Sequence, residues 1–282
     1  MSADSHEMTG LTVLVTGATD GHGRALARGL VELGATVLVH GRDENRIAAT
    51  VDELRGAAPG GDRVRSYRAQ LASLDDVERM AGDVVANEER LDVLVNNAGI
   101  GTSVPGGGER MESADGYELR FAVNYLAGYL LTDRLLDLLV RSAPARVVNV
   151  SSAGQMPLDF DDLMLERRYD GVRAYCQSKL AQIMHAIDLS ERFEPEQLTA
   201  NALHPATYMP TKIVRSPIST LEEGVEATLR LAADRTLDGV SGRYFNGTHE
   251  ARADGQAYDR HARARLGAVS RELIDAVTGH RR

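Results

Sequence analysis

The chain predicts an α/β domain, a single doubly wound parallel sheet flanked by helices. Short apolar runs alternate with segments of helical period from residue 11 onward. The runs are nearly continuous in Val and Leu, as strands covered on both faces are. A glycine-dense corner, TGATDGHG at 16–23, lies between the first run and the first helix. The 282 residues suffice for one large core, and no Pro/Ser-rich linker divides them.

The elements follow in order. LTVLV at 11–15 reads as a buried strand, and RALARGLVELG as a helix with Ala25, Leu26, Leu30 and Leu33 on its apolar face. ATVLVH and RDENRIAATVDELRG repeat the strand and helix, as do RVRSYRA and SLDDVERMAGDVVANEE. LDVLVNNAG is a fourth strand, SADGYELRFAVNYLAGYLLTDRLLDLLVRS one long helix, and ARVVNVSS a fifth strand. Then come a helix from Ala174 to Arg192, the strand LTANALH, a helix from Leu221 to Ala233, the strand SGRYF and a helix from Gly255 to Val277. Residues 1–10 lack the basic start and apolar middle of a secretion signal and read as a flexible tail, leaving 11–282 as the domain. GTSVPGGG at 101–108 reads as a loop.

A formal charge of −9 and a pI near 5.4 argue against a nucleic-acid partner, because a phosphate backbone selects a basic face. The single cysteine, Cys176, excludes an internal disulfide. No stretch approaches the roughly 20 apolar residues of a membrane span, so a cytoplasmic protein without a membrane partner is expected. No metal-ligand set is read. Of the 32 Lys plus Arg residues, Lys stands only at 179 and 212, so a lysine here calls for a reason.

In an open parallel sheet, ligands collect outside the carboxyl ends of the strands. The first strand ends in Gly17, Gly21 and Gly23, which remove the Cβ atoms that would hold a pyrophosphate away from a helix N-terminus. The fourth ends in Asn96-Asn97-Ala98-Gly99 and the fifth in Ser151-Ser152, while the next helix carries Tyr175 and Lys179. Four residues apart on a helix, those two side chains share a face. With 9 Tyr and 2 Lys in the chain, roughly 0.06 such pairs arise by uniform placement. A phenol beside an ammonium makes an acid–base pair, since a fixed cation favours phenolate.

These motifs, TGxxxGxG at 16–23, NNAG at 96–99, the SS of NVSS and YxxxK at 175–179, resemble the short-chain dehydrogenase/reductase family over nearly the whole chain. VNYLAGYLLT and GRYF are similar to its retinol-dehydrogenase-like branch. The resemblance implies a Rossmann-type fold, a nicotinamide cofactor and a catalytic tetrad on Asn124, Ser152, Tyr175 and Lys179. Tyr175 would pass the proton to or from the carbonyl oxygen, Ser152 would hydrogen-bond that oxygen, and Lys179 would bind the nicotinamide ribose. Asn124 would interrupt its helix and hold a water beside Lys179. Implied cofactor contacts are Gly17, Thr19, Asp20, Gly21, His22 and Gly23, then Gly41 and Arg42, then Gln70 and Leu71, where an acidic residue is common. Asn97, Ala98 and Gly99 follow, with Tyr175 and Lys179. After the sixth strand Pro205 is joined by Thr207 and Thr211, either of which suits the nicotinamide amide, while His204 reads as a packing residue. Gly41 offers no carboxylate and Arg42 supplies a bidentate phosphate donor, so NADP(H) is favoured over NAD(H), with Asp20 weighing against.

The resemblance further implies a homodimer or homotetramer paired through the helix carrying Phe121, Leu126, Leu130, Leu131 and Leu135 and the one carrying Leu180, Ile183, Met184 and Ile187. Residues 153–174 are longer than the family's shortest members use. They read as a substrate-covering insertion with a short amphipathic helix, its Met156, Leu158, Phe160, Leu163 and Met164 facing a pocket opposite Tyr208 and Met209. The function expected is carbonyl–alcohol interconversion on a fairly apolar small molecule. The alternatives are reduction of a carbon–carbon double bond on the same fold and a non-catalytic nucleotide sensor, which would be expected to have lost Tyr175 or Lys179.

Overall fold

The computed structural model describes residues 7–57, 63–102, 109–207, 209 and 218–279. β1 (Thr12–Val15), α1 (Gly21–Glu32), β2 (Thr36–Gly41), α2 (Glu44–Ala57), β3 (Val64–Arg68), α3 (Leu74–Asn87) and β4 (Val93–Asn96) form the first half. A π-helical turn, Phe121–Leu126, runs directly into α4 (Ala127–Arg141), followed by β5 (Ala145–Val150), α5 (Gly171–Arg192) and β6 (Leu198–His204). α6 (Leu221–Ala233), β7 (Tyr244–Asn246), β8 (His249–Ala251) and α7 (Arg260–Thr278) complete the order.

The eight strands lie in the order β3-β2-β1-β4-β5-β6-β7-β8. All neighbours are parallel except β7 and β8, a terminal hairpin of which the sequence showed only the first strand. β1 pairs with both β2 and β4, so the chain reverses its direction of travel across the sheet there and opens a crevice at the strand ends. Strand period explains why these runs are apolar throughout. Leu14, Leu38, Leu94 and Val147 face the layer of α3, α4, α5 and α7, whereas Val13, Val15, Val37, Val39, Val93 and Val95 face α1, α2 and α6. Side chains cap the helix starts: Asp20 on α1, Ser73 on α3, Asp170 on α5, Asp259 on α7, and a Thr220–Glu223 capping box on α6.

Four expectations are corrected. Residues 7–10 are not loose: Met8 is buried and its N–H donates to Leu33 O at 2.9 Å. The long helix does not begin near Ser113, because Glu112 and Glu118 form a β-bridge ahead of the π-helical turn. The insertion carries no helix of its own; its chain is turns, bends and irregular backbone until α5 starts at Gly171, ahead of the expected Ala174. Leu158 and Leu163 bury into the core and Phe160 and Met164 pack against it, which leaves Met156 as the exposed apolar side chain of that set. Tyr208 and residues 103–108 lie outside the described residues.

The fourth correction concerns the helices expected to pair two subunits. Phe121, Leu126, Leu130, Leu131, Leu135, Leu180, Ile183, Met184 and Ile187 are all buried within the one chain. α7 lies over them and contributes Ala262, Leu266 and Ile274 to the same core. Tyr125 Oη and Ser270 Oγ meet at 2.8 Å, Tyr117 Oη donates to Leu273 O at 2.8 Å, and Arg263 Nη2 donates to Glu191 Oε1 at 2.5 Å. Those apolar sets therefore offer no free face for a second copy. Among the described residues no helix is long and apolar enough to cross a membrane.

Candidate active site

The glycine corner is built for contact within the protein as well as for a ligand. A Cβ on Gly23 would stand 2.3 Å from Gly17 O and 2.4 Å from Asn97 Nδ2, so this glycine lets α1 seat against the end of β1. Gly17 itself holds a left-handed φ of +67°. Thr16 and Asn97 tie β1 to β4: Thr16 Oγ1 accepts from Asn97 N at 2.9 Å and Ala98 N at 3.0 Å, and Asn97 Nδ2 donates to Thr16 O at 2.8 Å. The His22 ring is buried between Asn97 Oδ1 at 2.8 Å and Gly224 O at 3.0 Å. The side chains of His22 and Asn97 are thus committed to the scaffold, and a cofactor would meet their backbone.

His40 has a structural role that its sequence context does not reveal. Its Nδ1 accepts from Gly17 N at 3.0 Å and its Nε2 donates to Ala69 O at 3.2 Å, which locks together the ends of β1, β2 and β3. Burial lowers its pKa to about 4, so the ring is neutral, as the accepting Nδ1 requires. Its partners stand 23 and 29 residues away in sequence, so no local pattern marks it.

Beyond β2, Arg42 is exposed and its carbonyl accepts from Arg68 Nε at 3.2 Å. Arg46, also unremarked in the sequence, reaches across to Asp20, with Nη2 and Oδ2 2.6 Å apart. That ion pair balances the Asp20 carboxylate beside the glycine turn, and Asp20 also accepts from Gly21 N at 2.9 Å. Gly41 is a closely filled position: a Cβ there would lie 2.6 Å from Thr19 Cγ2 and 2.9 Å from Ile47 Cγ1. Gln70 is exposed, Leu71 is buried, and the Gln70 N–H is taken by Asp76 at 3.1 Å.

The four tetrad residues come together. Lys179 is buried, and Nζ donates to Val150 O and Gln182 Oε1, both at 2.9 Å. Both partners are neutral, and burial lowers the lysine pKa to about 7. Nζ lies 5.8 Å from the Tyr175 ring centre. Asn124 sits in the π-helical turn, confirming a local interruption of the helix. Its Oδ1 accepts from Ile100 N at 2.7 Å, and Nδ2 donates to Ile100 O at 3.1 Å and Ser178 Oγ at 2.9 Å. Both amide protons are used inside the protein, so any water at this side chain has only an Oδ1 lone pair. Gly99 adjoins the pair, since a Cβ there would be 3.3 Å from Lys179 Nζ and 3.4 Å from Asn124 Oδ1.

Ser152 Oγ accepts from Gly154 N at 3.1 Å, which leaves its own proton to be donated. A Cβ on Gly154 would stand 3.4 Å from Cys176 Sγ, 3.6 Å from Ser152 Oγ and 3.8 Å from Tyr175 Cε1, so the serine hydroxyl and the edge of the Tyr175 ring both border this glycine. Tyr244 Oη donates to Ser152 O at 3.0 Å from β7 and fixes the serine backbone. Burial pushes the Tyr244 phenol up to about 12, which keeps it a donor. At the end of β6, His204 Nε2 and Thr207 Oγ1 are 3.0 Å apart and Pro205 is buried. The His204 pKa is lowered by burial and then by the Lys179 charge. Thr211 lies outside the described residues.

Residues 11–220 match the short chain dehydrogenase family. The chain belongs to that family. It is 35% identical to mouse retinol dehydrogenase 13, over 96% of this chain and 86% of that protein. Identity to human retinol dehydrogenase 14 is also 35%, over 95% of this chain and 87% of that protein. Among solved structures, the Pseudomonas aeruginosa RhlG/NADP active-site complex superposes with a TM-score of 0.71 at 26% identity, covering 87% of this chain and 97% of that one. A short chain dehydrogenase of Shigella flexneri complexed with NADP gives 0.70 at 23%, covering 87% and 100%. This family member is an NAD(P)-dependent oxidoreductase.

Proposed function

We propose that the chain interconverts a carbonyl and an alcohol on a fairly apolar small molecule, with NADP(H) favoured over NAD(H) and reduction as the working direction. The observation that carries this is the nearness of Ser152 Oγ and the Tyr175 ring at Gly154, with Lys179 Nζ 5.8 Å from the centre of that ring. Ser152, its lone pair engaged by Gly154 N, donates to the carbonyl oxygen, and Tyr175 delivers the proton as the oxygen gains charge. Lys179 lies behind the phenol, where its ammonium stabilises phenolate and reaches a ribose. The residues fit a dinucleotide. The glycine turn opens on the N-terminus of α1, Arg42, Arg46 and Arg68 gather at the ends of β2 and β3, and Asp20 is already paired. A bound nicotinamide would supply or accept the hydride. The 26%-identical RhlG complex with NADP supports the cofactor, and the retinol dehydrogenases support a bulky apolar substrate.

A panel of ketones, aldehydes, alcohols and one enone, followed by NADPH and NADH absorbance, tests the reading. Turnover of ketones or aldehydes is expected. Saturation of only the enone double bond would move the chemistry to carbon, and cofactor binding without any turnover would make the chain a sensor. Tyr175→Phe should keep cofactor binding and lower kcat about a hundredfold or more, because the ring stays while the proton donor goes.

A further inference from the structure

Ahead of the π-helical turn stands a charged group that the chemistry above does not use. Arg120 is completely buried, and so is Glu118. Arg120 Nε donates to Gly101 O at 3.2 Å and Nη1 donates to Tyr169 Oη at 2.5 Å. Tyr169 Oη in turn donates to Glu118 Oε1 at 3.2 Å, and Glu118 Oε2 accepts from Phe121 N at 2.7 Å. The direct ion pair is long, 3.7 Å, and Arg120 Nη2 is buried without a partner. A guanidinium so incompletely compensated is expensive to bury, and an apolar side chain of similar length would serve packing better. Its position says what it does. Gly101 lies two residues beyond Gly99, which adjoins Lys179 and Asn124, and its neighbour Ile100 is held on both backbone groups by Asn124. Tyr169 lies near the end of the 153–174 insertion, six residues before Tyr175. One side chain therefore holds the segment after β4 and the segment before α5, the two that flank the catalytic pair.

We infer that Arg120, with Glu118 and Tyr169, is a positioning device that fixes the separation of the two walls of the substrate cleft and so sets the bulk of carbonyl compound admitted. The inference rests on the carbonyl reading above. Arg120 touches neither substrate nor reacting atoms. It acts through Gly101 on one wall and Tyr169 on the other. Burial, followed by the Glu118 charge, raises the Tyr169 pKa to about 12, so the phenol stays a donor across the working range. The rest of the insertion is held from outside, where Gln256 Oε1 accepts from Leu158 N at 2.6 Å and Gln155 Oε1 accepts from Asp254 N at 2.8 Å. Losing Arg120 would therefore free the inner end while the outer end stays docked.

The test compares Arg120→Met and Tyr169→Phe with the parent on a small and a bulky ketone. Both variants should change the bulky-to-small ratio of kcat/KM about tenfold, through KM for the bulky ketone, with kcat on the small ketone and NADPH affinity within about twofold of the parent. Combining them should add little, as expected of groups acting as one unit. Hydrogen exchange should quicken at 99–102 and 166–170 in Arg120→Met, a readout that stands even if the parent reduces no ketone. If Arg120→Met does not fold, Tyr169→Phe carries the test by itself, since it removes one hydroxyl. An unchanged ratio together with unchanged exchange in a folded variant overturns the inference.

Discussion

Lys179 shows how a single residue can be costly to the fold and still stand at the proposed site. Its pKa falls from an ordinary 10.5 to about 7, and burial is the cause. Between those values the unfolded chain holds a proton that the folded one does not, so this group makes stability rise with pH across that window; below it both states are charged and the folded state bears the full desolvation cost. Lys179→Met should abolish turnover yet gain most in Tm, relative to the parent, below pH 7. That relative gain should shrink toward pH 10. The lost bonds to Val150 O and Gln182 offset part of it, so the trend with pH decides; a difference in Tm independent of pH refutes the assignment. YxxxK made this lysine legible from sequence, helped by the scarcity of Lys in the chain. Gln182, Tyr244 and His40 were not legible, because each acts through a partner far along the chain. Arg46 is a similar case. Arg46→Ala should remove a cationic partner of the Asp20 carboxylate and lower efficiency with NADP roughly tenfold or more, and Arg42→Ala should act likewise. Efficiency with NAD should change far less. Equal losses with the two cofactors would detach both arginines from the 2′-phosphate. Gly41→Asp is a poorer probe, because its Cβ would press on Thr19 and Ile47.

Among elements, strands and capped helices were read nearly in place, since their period and burial are written locally. The insertion was not. Its mixture of Met, Leu and Phe with Asp, Glu and Arg suggested an amphipathic helix, but the segment divides its bonds between local turns, such as Leu165 N to Asp162 O at 2.9 Å, and partners outside it. Asp159 N donates to Gln177 Oε1 at 2.9 Å, Arg110 Nε to Met164 O at 2.9 Å, and Gln256 holds Leu158 on both backbone groups. A chain whose backbone groups are satisfied by distant side chains has no need of an internal helical ladder. Its apolar residues consequently divide. Leu158→Ala should cost about 2–5 kcal/mol of stability, as a buried leucine in a packed core does, and move Tm accordingly. Met156→Ala should leave Tm unchanged and raise KM for bulky ketones, because Met156 is an exposed apolar side chain on this segment. A Tm shift for Met156→Ala as large as that for Leu158→Ala would place both in the core.

At the scale of the whole molecule, α7 decides how copies of the chain can meet. A stable pair buries about 800 Å² on each partner around an apolar centre. The leucines and isoleucines of the π-helical turn, α4 and α5 could supply such a centre by composition, which is why the sequence pointed to them. In the fold they are already spent, because α7 lies over them and adds polar anchors at Tyr117, Tyr125 and Glu191. Arg271 Nη1 adds a bond to Tyr129 Oη at 3.3 Å. Pairing through α4 and α5 would require lifting α7, uncovering Ala262, Leu266 and Ile274 and breaking these bonds together. Light scattering of the full chain at micromolar concentration is therefore expected to give a monomer mass, or else an oligomer whose interface lies elsewhere. Hydrogen exchange separates the cases: protection on α4 and α5 should not depend on protein concentration, whereas Ser270→Ala with Leu266→Ala should loosen α7 and expose them. If the full chain were a dimer whose α4 and α5 protection rose with concentration, α7 would have to leave its place in solution, and its role as the cover of that face would be refuted.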